Sequence, residues 1–256
     1  MQQLRPYVLA ETNWKTVKNT NYEVAILPWG ATEAHNYHLP YATDNFQSEH
    51  IAIGSAKIAW ENGNKVIVLP TIPFGVNTGQ HDITLDINMN PSTQAAILDD
   101  VIASLQRHGI HKFVVLNGHG GNEFKQILRE LQLKYQDVFL CQLHWFKMNE
   151  VNDVFDNPGD HAGEMETSLI MHLKPHLVLD LEVAGDGRAR PFKIEAFQEQ
   201  WAWAQREWRE VTADTGVGNP HNATAEKGEK IFTHLTKRIG TFLTNLANAD
   251  LNDMYE

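Results

Sequence analysis

The chain has 256 residues, 42% of them apolar, enough for one large α/β core or two small ones. Its formal charge of −11, with Arg188-Ala189-Arg190 as the nearest approach to a basic patch, argues against a nucleic-acid partner. No window approaches the roughly 18 apolar residues of a membrane span, the start MQQLRPYVLAE lacks a leader pattern, and the single cysteine, Cys141, cannot form an intramolecular disulfide. A cytoplasmic location with no membrane partner is therefore expected.

In chain order, the apolar run Tyr22 to Pro28 (YEVAILP) predicts a strand closed by Trp29-Gly30, so Glu33, His35 and Asp44 fall beyond its carboxyl end. A helix follows from Asp44 to Asn62, then a strand from Lys65 to Pro70, and a helix from Ser92 to His108 with Ser92 after Pro91 as its cap. Lys112 to Asn117 and Val138 to His144 read as strands flanking a helix from Glu123 to Tyr135, and Cys141 lies in the second of them as a core residue. Further helices are predicted over Gly163 to Leu173 and Ala225 to Ala247. Between these two, Gly185-Asp186-Gly187 reads as a turn. A helix from Gln198 to Val211 would gather Phe197, Trp201 and Trp208 onto one face, packed on the core, on another subunit or along a pocket. Strands alternating with helices predict a largely parallel sheet in a three-layer α/β/α arrangement. No repeat or linker divides it, so a single domain over residues 1–256 is expected.

Thirteen histidines are numerous for this length, but their placement matters more than the count. His50, His108, His111, His172, His176, His221 and His234 have no suggestive neighbours and read as surface or helix-end residues. His35, His119 and His161 fall in three clusters with carboxylates or glycines. Glu33 and His35, two apart in extended chain, leave the same side of the backbone, and Asp44 can fold back against them. Carboxylate and imidazole together suit zinc, manganese or iron, although Glu-x-His alone is also an ordinary solvated loop.

The second cluster, Gly118-His119-Gly120-Gly121-Asn122, joins a strand to a helix. Its glycines permit close backbone approach, and the N–H groups at the helix start can hold an anion or oxyanion. The third, Asp160-His161-Ala162-Gly163-Glu164-Met165-Glu166, opens a helix, where carboxylates also serve the helix dipole. Glu164 and Glu166 lie two apart, about 200° around the helix, so one is expected to face a site and the other a different partner.

In that order, TEAHNYHLPYATD, NGHGGN and HAGEMETS resemble the three signature segments of the creatininase (creatinine amidohydrolase) family. The resemblance covers roughly residues 22 to 175. It implies a three-layer α/β fold, two divalent metal ions per subunit (zinc, manganese or iron), hydrolysis of an amide-type carbon–nitrogen bond, and homo-oligomers, commonly hexamers. It implies Glu33, His35, Asp44 and His119 as metal ligands, with Asp44 bridging the ions. Creatinine-hydrolysing members carry Tyr-Glu after that histidine, the glutamate being a ligand; here Gly120-Gly121 stands instead. Glu166 is the expected replacement, with Glu164 and then Glu123 as alternatives.

A second departure lies in PFGVNTGQHDITL, Pro73 to Leu85, where Gly75 and His81 fit the family pattern and its Phe-Pro-Gly-Thr is missing. Asn77 or Thr78 would contact substrate there. The tryptophan that creatinine-hydrolysing members place before the third segment is replaced by Asn157-Pro158-Gly159, which argues against creatinine itself. The expected activity is hydrolysis of a small cyclic amide or formamide, not a peptide bond. A hydroxide shared by the two ions would attack, Gly120 and Gly121 would help bind the carbonyl oxygen, His161 would protonate the leaving nitrogen, and His38 would orient a ligand. A dinuclear phosphoesterase and a non-catalytic metal-dependent small-molecule binder are the alternatives; phosphate release, or tight binding without turnover, would mark them.

Overall fold

A computed structural model describes residues 4–151 and 153–256. A short helix, α1 (Trp14–Val17), precedes strand β1 (Val24–Trp29), helix α2 (Thr43–Glu61) and strand β2 (Val66–Val68). Then come α3 (Pro91–Arg107), β3 (Lys112–Asn117), α4 (Lys125–Lys134), β4 (Phe139–His144), α5 (Glu164–Leu173), two four-residue helices α6 (Glu195–Gln198) and α7 (Trp208–Val211), and α8 (Ala225–Asn248). The four strands are parallel in the order β2-β1-β3-β4. Sheet and helices form the expected three-layer α/β/α architecture.

Alternate residues of each strand face opposite helical layers. Val24, Ile26, Val66, Val68, Val114 and Leu116 pack with α2, α5 and α8, whereas Ala25, Leu27, Trp29, Ile67, Phe113 and Val115 pack with α3 and α4. Burial on both faces explains why the strands read as continuous apolar runs instead of alternating ones. Each fully buried Val, Ile, Leu or Phe side chain contributes about 1.5–3 kcal/mol by leaving water.

The chain leaves β1 for β2 on one side and returns as β3 on the other, so β1 and β3 diverge at a topological switch point. There Trp29 pairs with Asn117 in register. Ligands of open parallel sheets bind beyond the carboxyl ends of strands at such a point, and both metal-ligand-like loops emerge there.

Several boundaries differ from expectation for local reasons. Helix α2 begins at Thr43, one residue before the expected start, which places Asp44 in its first turn. Helix α3 begins at Pro91 after Asn90, without a side-chain cap from Ser92; the missing proline N–H is tolerated in a first turn. Helix α4 starts at Lys125, because Asn122, accepting from Val76 N and Gln94 Nε2 and donating to Gly30 O, holds the preceding residues in a turn. The helix expected over Gln198 to Val211 does not form. Trp201 and Trp203 are 74% and 86% exposed while Trp208 is buried, so no common apolar face exists to support it. Cys141 is only half-buried on the sheet, where burial pushes its thiol up to about 12.

Among the described residues no helix is long and apolar enough to cross a membrane.

Candidate metal centre

Glu33 and His35 leave the end of β1, Asp44 opens α2, His119 follows β3, and His161 and Glu166 flank the start of α5. All six are buried and share one cluster. Glycine at position 30 allows the approach of β1 to α2, since a Cβ there would press on the Asn45 backbone nitrogen at 2.7 Å. Asp44 then points its carboxylate across the strand end from the first turn of α2, where the helix dipole favours negative charge.

Around Glu33 Oε1 stand His119 Nδ1 at 2.9 Å, His161 Nδ1 at 3.7 Å and His35 Nε2 at 3.9 Å. His35 Nε2 lies 3.0 Å from Asp44 Oδ1 and 4.0 Å from Glu166 Oε1, and His119 Nδ1 lies 3.1 Å from Asp44 Oδ2. Three overlapping groups could each hold an ion: Glu33, His35 and His161; Glu33, Asp44 and His119; His35, Asp44 and Glu166. Glu33, His35 and Asp44 each belong to two of them.

The remaining ring nitrogen of each histidine meets a backbone carbonyl. His35 Nδ1 donates to Glu33 O at 3.1 Å, His119 Nε2 to Val76 O at 3.1 Å, and His161 Nε2 to Ala34 O at 2.8 Å. A carbonyl only accepts, so each contact fixes an N–H on the outer nitrogen and leaves the inner one facing the carboxylates. Metal-bound histidines are held in this manner. Gly121 serves the same purpose, because a Cβ there would overlap Val76 O and lie 2.5 Å from His119 Nε2.

The electrostatics agree. Burial opposes charge on His35, but Asp44, Glu166 and Glu33 outweigh it and raise the imidazole to about 10. His119 is likewise driven well above its usual range against its burial, by Glu33 and Asp44. Burial also works against the charged forms of Glu33 and Asp44, yet the facing histidines hold both below the ordinary carboxylate range. In Glu166 burial wins and its pKa is raised. Protons on imidazoles are thus the positive charge this chain itself can offer three buried carboxylates. Asp44 Oδ2 is buried without a hydrogen-bond donor of its own. The mixed imidazole and carboxylate set fits zinc, manganese or iron.

The three candidate glutamates separate cleanly. Glu164 is buried on the opposite side of the α5 start and forms an ion pair with Lys227 of α8. Glu123 lies outside the cluster, accepting from Gln142 and the Lys125 backbone. Only Glu166 faces the histidines, with its second oxygen accepting from Ala162 N at 2.5 Å.

His38 stands behind the cluster, 2.9 Å from Thr167 Oγ1, and burial lowers its pKa to about 4. Asn77 is buried with its amide donating to Thr32 O and Ile87 O, while the Thr78 hydroxyl bonds Gln205. The side chain of that segment that does reach the cluster is Gln80, bonded to Glu33. His81, which fits the family pattern, is exposed beside Asp82. Gly120 faces open space.

Sequence reasoning missed Gln80 and the two asparagines of Asn117–Asn122. Asn117 Oδ1 accepts from His119 N and Asn122 Nδ2, and Asn122 Oδ1 accepts from Val76 N. The pair of asparagines bracketing the glycine turn was the available signal.

The family model described as creatininase, creatinine amidohydrolase, matches residues 10–243. A mycofactocin precursor peptide peptidase of Mycobacterium ulcerans (strain Agy99) is 26% identical over 220 residues, covering 82% of this chain and 80% of that protein. The crystal structure of a protein provisionally described as a creatinine amidohydrolase, from Bacteroides fragilis NCTC 9343, superposes with a TM-score of 0.92 at 41% identity, covering 98% of this chain and 99% of the other. A mutant creatininase described as the Zn-Zn type has a TM-score of 0.78 at 23% identity, covering 95% of this chain and 99% of its own, a likeness of fold alone. The clustered motifs, the three-layer fold and the extent of the match place this chain in the creatininase family.

Proposed function

We propose that this protein is a metal-dependent amidohydrolase that cleaves the carbon–nitrogen bond of a small cyclic amide or formamide. The observation that carries the reading is the common orientation of three buried imidazoles, each tied outward to a backbone carbonyl and turned inward onto three carboxylates. Glu33, His35, Asp44, His119 and Glu166 would hold two divalent ions, with Asp44 between them. The zinc pair named for the mutant creatininase of the same fold supports that count. Ions bound there would supply Lewis-acid polarisation of the amide carbonyl and lower the pKa of an attacking water toward neutrality.

The chain's own groups then have distinct tasks. His161 sits at the edge of the cluster with Nδ1 uncommitted to any hydrogen bond, its ring stacked on His35 at 4.2 Å and met edge-on by Trp208 at 5.4 Å. Its Nδ1 would take the proton that the attacking water gives up and pass it to the leaving nitrogen. Trp208 and the buried walls keep bulk water from the carboxylates, which strengthens every charge interaction inside. Gly120, with open space beside it, leaves room near His119 for the substrate carbonyl, whereas the space at Gly121 is filled by Val76 O and the His119 ring.

A second reading is favoured by one observation: a relative matched over 82% of this chain is named a peptide peptidase. A peptide amide asks the same chemistry of the same residues. Protein purified without added metal, analysed for zinc, manganese and iron and then screened on cyclic amides, formamides and short peptides, tests both. Release of amine or ammonia from the first two classes supports the proposal, and cleavage confined to peptides supports the second reading. Phosphate release from esters, or bound metal with no amide hydrolysis, would overturn both.

A further inference from the structure

We propose that Gln80 is a positioning residue of the metal centre, which pins one oxygen of Glu33 so that only the other is presented to an ion. The inference rests on the metal-centre reading and adds to it a residue from a segment outside the three signature motifs.

Glu33 is 1% exposed and its two oxygens have different surroundings. Oε1 stands among three imidazole nitrogens, at 2.9, 3.7 and 3.9 Å. Oε2 accepts a hydrogen bond from Gln80 Nε2 at 2.5 Å. Gln80 is itself only 7% exposed, so water does not compete for that contact. A charge-assisted bond in such a setting is about twice as strong as a neutral one. It opposes rotation of the carboxylate into a chelating pose and makes Glu33 a one-oxygen donor.

The reach of Gln80 is set by backbone. It ends a 3-10 turn, Thr78–Gln80, and each end of the surrounding segment is tied to the residues that carry Glu33. On one side Asn77 donates to Thr32 O; on the other Ile87 N donates to Thr32 O and Asp86 Oδ1 accepts from Ala34 N at 2.7 Å. The turn cannot shift outward freely either, since a Cβ at Gly79 would overlap the Arg206 carbonyl. Thr32, Glu33 and Ala34 are therefore each held by this one segment, two through backbone groups and Glu33 through the Gln80 side chain. Ala34 in turn accepts from His161, which links the same segment to the far side of the cluster.

The test is Gln80→Met, which keeps the length and bulk of the side chain and removes the donor, with Gln80→Leu as a second apolar variant in case the first does not fold. Zinc affinity is read by chelator competition, the geometry of the centre by the visible spectrum of the cobalt-loaded protein, and folding by the melting temperature of the metal-free protein. The expected result for a folded variant is a metal affinity weaker by about 10- to 100-fold and an altered cobalt spectrum, with a metal-free melting transition that is lowered, because Glu33 Oε2 loses its donor, but still cooperative. Parental affinity together with a parental cobalt spectrum in a folded variant overturns the assignment. Failure of the parent protein itself to bind a divalent ion overturns the metal-centre reading beneath it, a distinguishable outcome.

Discussion

Glu33, His35 and His119 are carried by loops, and so are Trp201, Trp203 and Arg206, yet the two sets are held in different ways. Each loop of the first set is fixed within a few residues of a strand end by backbone carbonyls, asparagine side chains and close glycine contacts, and its functional groups are buried. The second set belongs to a stretch secured mainly at its ends. Gly185 exchanges hydrogen bonds with Asn36, Thr215 accepts from Asn36 N, and Val217 pairs with His161. Between those ends Trp208 is buried against His161, and the other side-chain contacts lie at the surface: Arg206 on Asp160 at 2.6 Å, Thr78 on Gln205, and Arg209 on Asp82 O. Buried polar groups with fixed partners define one geometry, whereas exposed ion pairs contribute little and leave a segment adaptable.

Removing Asp44 should break the first region most severely. Asp44→Ala is expected to lose both metal and turnover, by about 100-fold or more, measured by metal analysis and rate on one preparation; full activity would refute its bridging role. Glu166→Gln should reduce metal content and activity together. Glu164→Gln, by contrast, should keep the metal and cost about 2 kcal/mol in urea denaturation, because it leaves Lys227 without its buried partner. An equal effect of the two substitutions on metal content would remove the distinction drawn between them.

The metal-free protein should respond to pH through His35. Its folded pKa, about 10, lies above the unfolded value of about 6.5, so its stabilising contribution is complete below pH ~6.5 and is lost as pH rises toward 10. The expected loss is on the order of 1 kcal/mol per pH unit across that window, and metal-loaded protein should not show it, because the ion takes the place of the proton. Identical pH profiles with and without metal would contradict this. The smallest effect belongs to the second region: Arg206→Ala should cost about 0.5–1 kcal/mol in thermal or urea denaturation and leave metal content unchanged.

The sheet was legible because its strands are apolar on both faces, and the helices α3 and α8 because their apolar residues recur at helical spacing and meet tertiary partners. The region from Gln198 to Val211 was not. Its aromatic spacing suits a helix, but Trp208 is occupied beside His161 and Arg206 while Trp201 and Trp203 face solvent, so propensity met no face to bury. At the candidate metal centre, spacing brought forward Glu33, His35, Asp44 and His119, since residue type and position after a strand are local properties. Gln80 lies 47 residues from Glu33 and carries no charge, so within the segment Pro73 to Leu85 the sequence pattern marked Asn77, Thr78 and His81 instead.

The amino-acid sequence by itself determined the family, the parallel three-layer plan and the three polar segments placed at strand and helix ends. These follow from hydrophobic periodicity and short-range motifs, which are properties of neighbours along the chain. Which of Glu123, Glu164 and Glu166 joins the cluster, which nitrogen of each histidine faces inward, and which oxygen of Glu33 is left free were decided only by tertiary structure. Each depends on a partner distant in sequence: Lys227 for Glu164, the Val76 and Ala34 carbonyls for His119 and His161, and Gln80 for Glu33.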